Sequence, residues 1–254
     1  MPGFSHAPGD PIDIDRPLSG AALLAAWENG AGEPLPARGL AVLRAGCPGL
    51  GHDHAAELSV AQRDHALLML HVRSFGPNLT GTAECEACGE RLEFVLPAAQ
   101  VAASLQAAEA GCSLMQDGLT LRLRLATSRD IMAIAAETDV ETARQRLLDL
   151  CAETADAGGA AVAIPDALRG MVMDRLDALH EAAEVALALS CPGCGSRQTV
   201  QLDIPSFLWA EIRHAAQRLL DDVHELAWAY GWSEAAILTM TPVRRQAYLE
   251  RLRG

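Results

Sequence analysis

The sequence predicts a mainly helical α+β chain, with a small antiparallel sheet formed by two sequence-distant CxxC hairpins and flanked by helices. Three observations carry this. Cys85-Glu-Ala-Cys88-Gly and Cys191-Pro-Gly-Cys194-Gly each lie between stretches that alternate polar and apolar residues, the period of a half-buried strand. Half of the residues are apolar, yet the chain holds only four Trp, two Tyr and four Phe, so Ala and Leu dominate and favour helix. Between the hairpins, apolar residues recur at helical spacing and are punctuated by Gly, Pro and capping residues.

Residues 1–17, rich in Pro, Gly and Asp, read as a flexible arm. Two short helices are expected at about 18–28, with Trp27, and 36–46, separated by Gly30, Gly32 and Pro34. Residues 47–57 read as a loop. Ser59, with Gln62 three residues on, makes a capping box for a helix of about 60–74, ended by Phe75-Gly76-Pro77. The first hairpin spans about 79–97, and a helix of about 98–110 follows Pro97. Leu119–Leu125 alternates Leu with Thr120, Arg122 and Arg124, a clear strand. Thr127 or Ser128 caps the next helix, and a further helix of about 140–154 is broken by Gly158-Gly159. Pro165 and Asp166 start a helix presenting Leu168, Val172, Leu176 and Leu179. The second hairpin spans about 185–204. Pro205 opens a long helix to about 229, Ser233 caps a short one ending near Leu238, and Thr241-Pro242 begins the last. The expected organisation is N-terminal helices at 18–75, two halves of one small unit at 76–97 and 185–204, an insertion of strand and helices at 98–184, and C-terminal helices at 205–254.

The two knuckles match beyond their cysteines. A shift of 106 positions superposes Cys85 on Cys191, Cys88 on Cys194, Gly89 on Gly195, Arg91 on Arg197 and Leu96 on Leu202. Two such hairpins facing each other form a zinc ribbon, and Cys85, Cys88, Cys191 and Cys194 supply one complete tetrahedral shell for one zinc. A closed shell leaves no position for a reacting water, so the metal is expected to be a structural staple. A redox dithiol is the competing reading, but those motifs open a helix, whereas Ser196–Thr199 lead into a strand pattern. Disulfides compete as well, but no secretory signal precedes the chain.

The formal charge of −13 argues against a phosphate-binding surface. No stretch approaches the ~20 apolar residues that span a bilayer. The expected setting is cytoplasmic, with no membrane, nucleic-acid or small-molecule partner. Cys47, Cys112 and Cys151 read as small buried residues. Cys47, His52 and His54 could hold a second metal, though no fourth ligand is evident. His180-Glu-Ala-Ala-Glu184 is one residue short of a zinc-protease motif, and Asp221, His224 and Glu225 share a helix face; a solvated face is the commoner meaning of such patterns. Arg244, Arg245, Arg251 and Arg253 make the C-terminus locally basic, which suits a helix C-terminal end. No nucleotide-binding, hydrolase or kinase motif occurs, and no enzyme is expected. Trp228, Tyr230 and Trp232 concentrate large aromatics at one helix end, as a packed corner or as an anchor for a partner.

The order of these motifs resembles a known family. It runs from N-terminal helices with a Trp, through a helix ending Phe-Gly-Pro-Asn-Leu, CxxCG-x-R-x-E, Leu-Arg-Leu-Arg-Leu-Ala-Thr-Ser-Arg-Asp and a second CPxCG, to Phe-Leu-Trp209 and Tyr-Gly-Trp232-Ser. It resembles the zinc-ribbon proteins of contractile, phage-tail-like injection clusters, which are similar to baseplate hub assembly proteins of T-even phages. The resemblance covers roughly residues 18–252. It implies a non-enzymatic assembly chaperone or adaptor whose partners are hub or spike subunits of the baseplate, and by motif it carries over only Cys85, Cys88, Cys191 and Cys194, as a Zn2+ site. The alternative is a zinc-ribbon regulator that touches nucleic acid or a transcription partner.

Overall fold

The computed structural model describes residues 12, 14, 16–107 and 109–253. It is mainly helical with small antiparallel sheets, built around two larger apolar clusters and a small C-terminal one.

The first core packs α1 (Ala21–Ala31), α2 (Leu35–Gly46), α4 (Val60–Phe75), α5 (Ala98–Ala107) and the first half of α9 (Ile204–Tyr230). Leu43, Leu67, Leu70, Ile204, Leu208 and Ile212 lie fully buried within it. The Ser59 capping box on α4 forms as the sequence predicts, with Ser59 Oγ accepting from the Gln62 amide and the Gln62 side chain accepting from the Ser59 amide. Most of the expected N-terminal arm lies outside the described residues. Its end is held: Ile14 is buried in the first core, and its carbonyl accepts from the Arg73 guanidinium. A short helix, α3 (His52–Glu57), replaces the expected loop at its C-terminal part. Ala55 and Ala56 bury against Leu40, and that packing rewards a helical turn where the local Gly and His pattern suggested none.

The second core is a three-stranded antiparallel sheet, β3 (Gly111–Gln116), β4 (Leu119–Arg124) and β5 (Ala152–Ala155), under α7 (Val140–Cys151) and α8 (Asp166–Glu181). The sequence predicts only β4. The helix expected at 98–110 ends at Ala107, and the one expected at 140–154 ends at Cys151. Beyond both ends the chain pairs with β4: Ser113 lies opposite Arg122, and Thr154 opposite Leu121. Ala-Glu-Thr-Ala of β5 has modest strand propensity; pairing to a strand whose Leu121 and Leu123 are buried overrides it. The β3–β4 turn is Asp117-Gly118, both at positive φ (51° and 77°), the backbone that a two-residue hairpin requires. α6 (Ser128–Ile134) begins at a capping box of Thr127 and Asp130.

The two CxxC hairpins are β1 (Asn78–Glu84) with β2 (Arg91–Pro97), and β6 (Ala186–Ser190) with β7 (Arg197–Gln201). They do not merge into one sheet. Each is a separate two-stranded unit, and they meet at their tips. The last half of α9 packs with α10 (Glu234–Leu238) and α11 (Pro242–Arg253) around Leu226, Ile237 and Leu249.

Candidate metal centre

Each knuckle is closed by the same pair of backbone bonds. The Cys85 amide donates to the Glu90 carbonyl and the Gly89 amide to the Cys85 carbonyl; Cys191 and Gly195 repeat this with Ser196 and Cys191. Gly89 and Gly195 adopt φ of 74° and 75°, a left-handed turn that only glycine makes at no steric cost. The turn folds the first and second cysteine of each knuckle toward one point.

The four sulfurs converge there. Cys85 Sγ lies 3.7 Å from Cys194 Sγ, Cys88 Sγ lies 3.7 Å from Cys191 Sγ, and all four fall within 4.8 Å of one another. A tetrahedral zinc with Zn–S near 2.3 Å has S···S edges of roughly 3.8 Å. A disulfide would bring two sulfurs to about 2.05 Å. The donor set and spacing therefore fit a tetrahedral thiophilic cation. Cys85, Cys88, Cys191 and Cys194 would hold it, and it would supply cross-linking between the hairpins. Cys85 and Cys191 are buried with Leu92 and Leu189, whereas Cys88 and Cys194 face solvent.

Two residues that the motif reading does not single out complete the site. Ser196 Oγ lies 3.1 Å from Cys85 Sγ and 3.2 Å from Cys194 Sγ. Its hydroxyl lowers the Cys85 thiol to about 6 and pulls Cys194 down as well. Cys88 goes the other way, to about 12: its bond with the Glu90 backbone lowers it, but the three neighbouring cysteines outweigh that. A divalent ion bound here would replace the thiol protons of its ligands. Gln198 bridges the hairpins: its Nε2 donates to the Glu84 carbonyl at 2.7 Å and its Oε1 accepts from the Glu86 amide at 3.0 Å. Among the described residues, this is the one cluster of Cys, His and carboxylate groups with metal-binding spacing, and Cys47, His52 and His54 do not form another.

Residues 42–209, well over half of the chain, match the family described as T4 bacteriophage base plate protein. The chain belongs to this family. No curated protein and no solved structure matches it. Both knuckles fall inside the family stretch, so the baseplate region contains the whole four-cysteine centre.

The remaining candidates have structural duties. His180 Nε2 accepts from the Ala126 amide and its Nδ1 lies 2.9 Å from the Leu176 carbonyl, so the ring pins α8 to the end of β4. Glu225 pairs with Arg253, and Asp222 with Arg245, which fastens the basic tail to α9. Cys47 and Cys151 are buried; burial pushes the Cys151 thiol up to about 11. Cys112 is only half-buried. The aromatic trio divides. Trp228 is 87% exposed. Trp232 stacks on Tyr230 at 4.5 Å and meets Tyr248 edge-on at 4.8 Å, so it is partly committed to the C-terminal corner. All three lie beyond the matched residues.

Proposed function

We propose that this chain is a non-enzymatic assembly chaperone or adaptor for the baseplate hub of a contractile, phage-tail-like injection system, with one zinc held by Cys85, Cys88, Cys191 and Cys194. The observation that carries the reading is the convergence of two knuckles, a hundred residues apart, into one closed four-sulfur centre inside the stretch matched by the baseplate family. A saturated thiolate shell suits a staple. The staple joins the two halves of a zinc ribbon at 76–97 and 185–204, with the 98–184 insertion between them. Baseplate membership implies work through other baseplate proteins, and the C-terminal corner carrying Trp228, Tyr230 and Trp232 offers the anchor: a broad, rigid aromatic surface loses little conformational entropy on docking. The chain would act in the cytoplasm, on hub or spike subunits, before or during tail assembly.

The test is deletion of the gene in a producing host, together with affinity capture from it. The expected result is tails that lack the hub or stall before sheath assembly, and co-purification of a hub or spike subunit with the tagged chain. Normal functional tails without the protein, or capture of no baseplate subunit, would overturn the reading.

A further inference from the structure

A groove of about 960 Å³ runs between the solvent face of the first CxxC hairpin and the middle of α9. Thr80 and Thr82 of β1 and Arg91 of β2 form one wall; Arg213, His214 and Arg218 line the other. Phe75 and Phe207 add apolar surface. His71 lies buried beneath, between the Phe75 and Phe207 rings, with Nε2 2.7 Å from Oε2 of Glu211 though off the hydrogen-bonding direction.

The groove gathers unpaired cations on one surface of an acidic protein. The sequence holds no lysine, so its 20 permanent cations are all arginine, and the net charge is −13. Elsewhere many arginines are held by internal partners: Arg63, Arg124, Arg129, Arg144, Arg169 and Arg245 each pair with a carboxylate. Arg91, Arg213 and Arg218 are exposed, and among the described residues none of them has an ion-pair partner. Two carboxylates share the groove, Glu93 and Glu211, and Glu211 is turned toward His71. Three unspent guanidiniums and a histidine thus converge on one concave surface of an acidic protein.

We infer that this groove binds a carboxylate-rich, extended segment of a partner protein. Guanidinium forks match carboxylates bidentately. The volume suits several residues of an extended chain. Phe75 and Phe207 offer contact to apolar side chains that alternate with acidic ones. The inference rests on the reading that the chain acts by binding other baseplate proteins, and it adds a second contact surface, separate in position and chemistry from the aromatic corner.

The probe is a fluorescein-labelled peptide alternating Glu and Leu, titrated by anisotropy at low salt against the full chain. The parent should bind it. Arg213→Gln/Arg218→Gln should weaken binding by about tenfold or more, since each exposed charge contributes to a steered, salt-dependent contact. Arg44→Gln/Arg175→Gln, which removes the same charge from exposed arginines outside the groove, should change it less than about twofold. No binding by the parent, equal losses in both variants, or tighter binding of a single-stranded oligonucleotide with the same arginine dependence would overturn the inference. Capture of baseplate subunits separates the two readings. Capture that survives unchanged in the groove variant overturns the groove and leaves the assembly reading standing. Peptide binding by a parent that captures no baseplate subunit overturns the assembly reading alone.

Discussion

Ser196 and Gln198 illustrate what a single residue can decide and what its sequence position conceals. The four cysteines were legible because a CxxCG knuckle carries its chemistry in its own spacing. Ser196 and Gln198 act across more than a hundred residues, on Cys85 and on the Glu84–Glu86 backbone, and no local pattern encodes that. Gln198→Ala removes both bridging bonds at once. The expected cost is roughly 1–2 kcal/mol in chemical denaturation, with zinc content unchanged; a variant as stable as the parent would show that the sulfurs alone align the hairpins. Asp130 is a second residue-scale case. Burial raises its carboxyl, yet bonds from Arg124 and Thr127 outweigh burial and hold it below 3.8. Its contribution is therefore complete above pH 3.8 and lost as the pH falls through the lower folded-state value. Arg124→Met should cost about 1.5–3 kcal/mol at neutral pH. The gap to the parent should narrow in acid, as unfolding curves at neutral and acidic pH will show.

At the scale of elements, the helices other than α3 and the two knuckle hairpins were legible because each carries its own caps or periodicity. β3 and β5 were not, because their strand character comes from β4, a partner remote in sequence. One local signal did exist: Asp117-Gly118 between two alternating stretches is a two-residue hairpin turn. α9 shows how one element serves two purposes. Its first half buries Leu208 and Ile212 in the main core; its second half carries Leu226 into the C-terminal cluster and leaves Trp228 in solvent. The trio should accordingly respond unevenly to substitution. Trp228→Ala should leave stability within about 0.5 kcal/mol and, if this corner docks a subunit, weaken capture by roughly 2 kcal/mol or more. Trp232→Ala should also lower the melting temperature, because stacking on Tyr230 and contact with Tyr248 are lost. Melting and subunit capture measured on both variants separate anchor from corner; unchanged capture in both would move the docking surface elsewhere.

At the scale of the whole molecule, a metal linking residue 85 to residue 194 would close a loop around the second core and so couple the site to the fold. Binding energy that requires the folded site becomes folding energy. Chelation, or Cys191→Ser, should lower the melting temperature of the entire chain and not merely loosen one hairpin; a variant that melts like the parent would contradict this coupling. The most direct test is the composition and coordination of the metal in purified protein. Elemental analysis with X-ray absorption at the zinc edge should find one zinc per chain surrounded by four sulfurs near ~2.3 Å. A chain purified without zinc, or a zinc with fewer than four sulfur neighbours, would contradict it.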